Sequence, residues 1–106
     1  MTSPLPALEA RVRLHHDDAA PDDTGIRLLA FAELTVAGAF VIKSIRILQG
    51  DEDGPFIVFP AEKAGDRFYD VAHPTTAEAR AAAVDAILGA YAYETAKAAG
   101  VRMVPR

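Results

Sequence analysis

The residues with chemical potential sit in two short stretches. In RFYDVAHP (Arg67–Pro74), Asp70 lies three residues before His73, and Pro74 follows directly. An aspartate that orients an imidazole makes a general base, and the same pair is half a metal site. Both readings require the side chains to converge. An extended backbone alternates its side chains, so residues three apart point to opposite faces. Pro74 has no N–H to donate and holds His73 toward extended dihedrals. No serine or cysteine nucleophile is evident to complete a catalytic set. The residues therefore read as a rigid strand-to-helix joint, in which Asp70 and His73 bond nearby backbone. No catalytic residue is assigned, and the chain is not expected to be an enzyme.

The second stretch, HHDD (His15–Asp18), has the composition of a metal cluster. Adjacent strand residues face opposite ways, so His15 and His16 do not ligate one ion together. The acidic GDEDG (Gly50–Gly54) is shorter than the roughly twelve residues of an EF-hand loop and reads as a hairpin tip. There is no H-E-x-x-H and no glycine-rich phosphate loop. No metal, cofactor or small-molecule substrate is expected. The chain has no cysteine, which excludes disulfides and thiolate sites and suits a reducing cytoplasm. MTSPLPALEAR lacks the pattern of a signal peptide, and no apolar run approaches the roughly 20 residues that span a bilayer. No membrane association is expected.

The elements that must position these residues follow from periodicity. With 106 residues, 51% of them hydrophobic, the chain suits one domain with one core. Residues 1–7 read as a frayed end. Leu8, Ala10, Val12 and Leu14 alternate with Glu9, Arg11, Arg13 and His15, a strand with one wet face. HDDAAPDDTG (His16–Gly25) is a solvated loop. Ile26–Val36 is a second strand, with Ile26, Leu28, Ala30, Ala32, Leu34 and Val36 on one face. Its other face carries Leu29 and Phe31 and calls for a cover over its middle. Phe40–Leu48 is a third strand, on which alternation puts Lys43 and Arg46 on opposite faces. Phe56–Pro60 is a fourth, AEKAGDR a turn, and Phe68–Ala72 a short fifth. Residues 75–99 then form an alanine-rich helix. Thr75 and Glu78 have the spacing of a capping box, Ala79, Ala83, Ile87 and Tyr91 form an apolar stripe, and Gly100 is the stop. Gly89 in its interior suggests close backbone packing. The expected fold is α+β: a twisted antiparallel sheet of about five strands followed by one long C-terminal helix.

Charge constrains partners. Eleven Lys and Arg stand against fifteen Asp and Glu, a net charge of −4, so the chain as a whole repels nucleic acid. The basic residues are dispersed, and only folding or dimerisation would gather them into a patch. Arg80 lies off the helix stripe, so its guanidinium should reach solvent. Lys97, Arg102 and Arg106 lie at the far end of the helix and in the tail, reaching such a patch only through a dimer or a folded-back tail.

The order of these pieces resembles the SpoVG family, the septation or stage V sporulation protein G proteins. The likeness rests on FVIKSIRILQG, on GPFIVFPAEKAGDRFYDVAHP, on Arg80 and on AILGAY (Ala86–Tyr91). It covers about Ala10 to Tyr93. The resemblance implies a small bacterial cytoplasmic homodimer, with sheets joined across subunits. It further implies a regulator that binds DNA, and in some members RNA, and is tied to septum formation or sporulation. Asp70, His73 and Pro74 then belong to the family's signature joint. Arg80 is the first candidate for a phosphate contact, followed by Lys97 and Arg102, with Lys43 and Arg46 on the sheet. The family's serine after F-P is Ala61 here, and the helix start TAEARAAAVDA carries one arginine among acids. A competing expectation is a protein-interaction module of cell division that makes no nucleic-acid contact.

Overall fold

The computed structural model describes residues 5–15, 25–50 and 54–100. In chain order its elements are β1 (Leu8–Leu14), β2 (Arg27–Val36), β3 (Phe40–Gln49), β4 (Pro55–Val58), β5 (Ala61–Ala64), β6 (Arg67–Asp70) and α1 (Ala77–Ala98). The architecture is α+β, as expected. β1 to β4 form one antiparallel sheet in sequence order, and β5 pairs with β6 in a separate hairpin. Six strands in two sheets thus replace the expected five in one meander. The strand missed was Ala61–Ala64. Every residue of it is exposed, so burial left no alternating pattern to read.

Tight turns set the order of the sheet. Between β2 and β3 both Ala37 and Gly38 have positive φ, 55° and 65°, and Ala39 N–H donates to Val36 C=O at 3.0 Å. That is the type I′ geometry whose twist matches paired strands. Gln49 pairs with Pro55, so β3 and β4 also form a hairpin. The acids at its tip, and the aspartate-rich segment after His15, lie outside the described residues. Gly65, with φ 65°, turns β5 into β6, and Val71 N–H donates to Pro60 C=O at 2.8 Å at the base of that hairpin.

Two bulges interrupt the register of β2 against β3. Leu28 faces Leu48 and Ala30 faces Ile47, which leaves Leu29 as an extra residue on β2. Leu29 therefore packs against the core, where strict alternation would put Leu28. Farther along, Ala32 faces Ile45 but Leu34 faces Ile42. Here the surplus residue is on β3, and Ser44 takes up the irregularity with a left-handed φ of 64°.

One face of the sheet is covered by α1, and the core lies between them. Ala30, Ala32, Leu34, Ile45, Ile47 and Phe59 meet Ala83 and Ile87 of the helix, all buried. Small residues at Ala30, Ala32 and Ala83 let the helix lie close to the strands. Leu8, Ala10, Val12 and Leu14 of β1 complete this face, as their period-two spacing predicts. The helix begins one residue later than its capping-box spacing suggests. The cap is Thr76, not Thr75, and its Oγ1 accepts from Ala79 N–H at 3.0 Å. At the other end Gly100 N–H donates to Lys97 C=O at 3.1 Å. Gly89 is exposed, and a Cβ there would meet nothing within 4 Å, so close packing does not explain it in this chain.

Candidate functional site

The DVAHP joint is tied to its own backbone. His73 Nδ1 lies 2.9 Å from Pro74 C=O. A carbonyl only accepts, so Nδ1 carries the proton and donates. The other ring nitrogen, Nε2, is 3.9 Å from Asp70 Oδ2. Alternation would have separated these two side chains, but β6 ends at Asp70 and the bend at Val71–Ala72 swings His73 back. Both remain substantially exposed, and the contact is a loose one. His73 and Pro74 border an apolar groove of about 260 Å³ between the start of α1 and the ends of β1 to β3, lined by Leu8, Leu34, Ile42, Phe59, Ala79 and Ala83.

The face of the sheet turned away from α1 has a different chemistry. Alternation on β1 points Glu9, Arg11 and Arg13 outward, and on β2 it points Phe31 and Glu33 outward. On β3 the Ser44 bulge changes what alternation predicts. Ile42 and Ile45 both turn toward the helix, and Lys43, Ser44 and Arg46 are all exposed on the other side. Lys43 and Arg46 therefore share a face instead of opposing each other. Register places Arg13, Phe31, Arg46 and Val58 in one row across the four strands. The guanidinium carbon of Arg13 sits 5.6 Å from the Phe31 ring centroid. His15 meets the same ring edge-on, with centroids 5.9 Å apart. Beside this row an open groove of about 490 Å³ is lined by Arg11, Arg13, Phe31, Glu33, Lys43 and Ser44. Arg11 is the register partner of Glu33. Arg13 and Arg46 are the register neighbours of Phe31 on either side, and Lys43 lines the same groove as the ring.

The basic residues of the helix divide between its two ends. Arg80 is exposed, but its guanidinium carbon lies 5.7 Å from the centroid of the buried Phe59 ring. It acts there as a lid on the core, in the layer opposite Lys43 and Arg46. Lys97 lies about 25 Å farther along the helix axis. It is 3.8 Å from Glu94 Oε2 and lines a groove with Val12, Arg13 and Leu14. Lys97 thus lies beside the sheet cations at the β1 edge and far from Arg80. Arg102 and Arg106 lie outside the described residues. The residues missed in the sequence were Arg11, Arg13 and Phe31. The spacing of the two arginines and the aromatic on the second face of β2 were the available signals. Among the described residues no three potential metal ligands cluster, and no helix is long and apolar enough to cross a membrane.

These features define a small sheet-and-helix protein with one covered face and one cationic face. The SpoVG family model matches residues 9–93, and the chain belongs to the SpoVG family. SpoVG 1 of Listeria monocytogenes serotype 4b (strain F2365), provisionally named a septation protein, is 39% identical over 70 residues, covering 65% of this chain and 68% of that protein. The similarly named protein of Finegoldia magna (strain ATCC 29328 / DSM 20472 / WAL 2508) is 36% identical over 80 residues, 74% of this chain and 73% of its own. That of Desulforudis audaxviator (strain MP104C) is 36% identical over 73 residues, 68% and 82% respectively.

Proposed function

We propose that this chain is a cytoplasmic, homodimeric, non-enzymatic regulator that binds nucleic acid and serves septation, and with it sporulation control. The observation that carries the reading is the shared outward face of Arg13 on β1 and Lys43 and Arg46 on β3, continued by Lys97 around the sheet edge. Such a track gives a polyanion a local attraction that the net charge of −4 does not predict. Phosphate contacts of this kind position a nucleic acid without reading its sequence. The dimer rests on a different observation. The β5–β6 hairpin stands apart from the main sheet and exposes Phe68 (71%) and Tyr69 (54%), with Val71 (64%) beside it. A lone two-stranded hairpin is marginal in water, and a second copy would cover it.

The exposed aromatics of that hairpin also favour a second reading, a protein-interaction module without nucleic-acid contact. One experiment separates the two. Fluorescence anisotropy with mixed-sequence DNA and RNA, titrated with salt, should show binding at low salt that weakens steeply as salt rises. Absence of binding even at the lowest salt sinks the nucleic-acid reading and leaves the interaction module. Light scattering at micromolar concentration should give the mass of two chains, and a stably folded monomer would refute the dimer.

A further inference from the structure

We infer that the open sheet face takes a single strand of nucleic acid, with one base stacked at Phe31 and its phosphates held by Arg13 and Arg46. This rests on the nucleic-acid reading above and goes on to specify the ligand class and the stacking residue. Charge selects the face. The helix carries two cations against three acids, as Arg80 and Lys97 are outweighed by Glu78, Asp85 and Glu94. The β5–β6 hairpin has the same imbalance, with Lys63 and Arg67 against Glu62, Asp66 and Asp70. The open face reverses it, with Arg11, Arg13, Lys43 and Arg46 against Glu9 and Glu33.

Shape then selects the strandedness. Duplex DNA is read in the major groove by an inserted helix or a two-stranded ribbon. The helix and the hairpin are the elements of those shapes here, and both are net acidic. A sheet face bearing an aromatic between cations instead suits unpaired bases, whose flat surfaces are free to stack. Phe31 lies centrally in its row, with Arg13 and Arg46 as its register neighbours on either side, each roughly 5 Å away at the backbone. Arg13 already lies over the ring. A base can displace that guanidinium toward a phosphate or stack upon it, because every nucleobase has a π-face and guanidinium planes stack as well.

The test uses the full chain with three fluorescent ligands: oligouridine RNA and oligothymidine DNA of about 12 nucleotides, within the range of single-strand site sizes, and a mixed-sequence duplex of matching length. Both single strands should bind at least tenfold more tightly than the duplex. Phe31→Leu keeps an apolar side chain on the strand and removes the ring. It should weaken single-strand binding roughly five- to hundredfold, with an unchanged salt slope and far-UV circular dichroism. Phe31→Trp should restore binding. The chain has no other tryptophan, so its emission reports the stacking directly and should be quenched by the single strands. Equal or tighter duplex binding overturns the inference, as does a Phe31→Leu protein that binds like wild type. A Phe31→Leu protein whose mass halves in light scattering also overturns it, since this face would then be the subunit interface. Failure of wild type to bind any of the three ligands defeats the underlying nucleic-acid reading itself and is distinct from these results.

Discussion

Arg13→Ala removes the cation that joins the two ends of the basic track. Arg13 is the register neighbour of Phe31 on the open face and also lines the groove that reaches Lys97. Counting Arg13, Lys43, Arg46 and Lys97 as four phosphate contacts, log affinity for a single strand should fall against log salt with a slope of about −2.8. Raising salt from about 50 to about 200 mM then weakens wild type roughly fiftyfold. Without Arg13 the slope becomes about −2.1, and the same step costs roughly eighteenfold. These values hold for a strand short enough to lie on one protomer. Arg13→Lys separates charge from stacking: the slope should be retained while affinity drops, because an ammonium lacks the planar fork.

The control is Arg80→Ala. Arg80 lies over Phe59, so its loss should cost about 0.5–1 kcal/mol of stability and leave the salt slope as it is. Anisotropy titrations at several salt concentrations measure the slopes, and thermal melts measure the stabilities. A flattened slope in Arg80→Ala, with the slopes of folded Arg13→Ala and Arg46→Ala unchanged, would rule out the sheet face as the phosphate site. Phosphate would then bind at the helix start, as the family resemblance alone implies.

Thr76→Ala should lower stability by about 0.5–2 kcal/mol, because Thr76 Oγ1 caps Ala79 N–H. Thr75→Ala should be close to neutral, and equal losses in denaturant melts would return the cap to Thr75. Gly89→Ala should raise the melting temperature, worth roughly 0.5–1 kcal/mol, since the added Cβ meets nothing and the backbone is helical; a loss would mean that a second copy packs there. His73→Ala removes the bond to the Pro74 carbonyl at an exposed site and should cost about 1 kcal/mol or less in a chemical melt. A hydrolase or transferase activity that disappears in this variant at an unchanged melting temperature would overturn the structural role given to the joint.

What could be read from the sequence divides along a physical line. Where burial acts on a single element it leaves a period. Leu8 to Leu14 was legible to its ends because every second residue packs on the core. The Ala83–Ile87 stripe was legible for the same reason. Where a feature depends on pairing between elements, one strand's sequence does not contain it. Nothing in FVIKSIRIL says that β2 spends two residues where β3 spends three. Yet that difference turns Ile42 and Ile45 to the same side and brings Lys43 around to join Arg46. Strict alternation split these two cations between the faces, and with them split, the helix start was the more attractive place to look for a phosphate site. The bulge at Ser44 removes that reason. A serine held at φ 64° has a steric cost that glycine would not. The strained residue sits beside Lys43 in the open groove, so the irregularity that hid the cationic face from the sequence is the same one that assembles it.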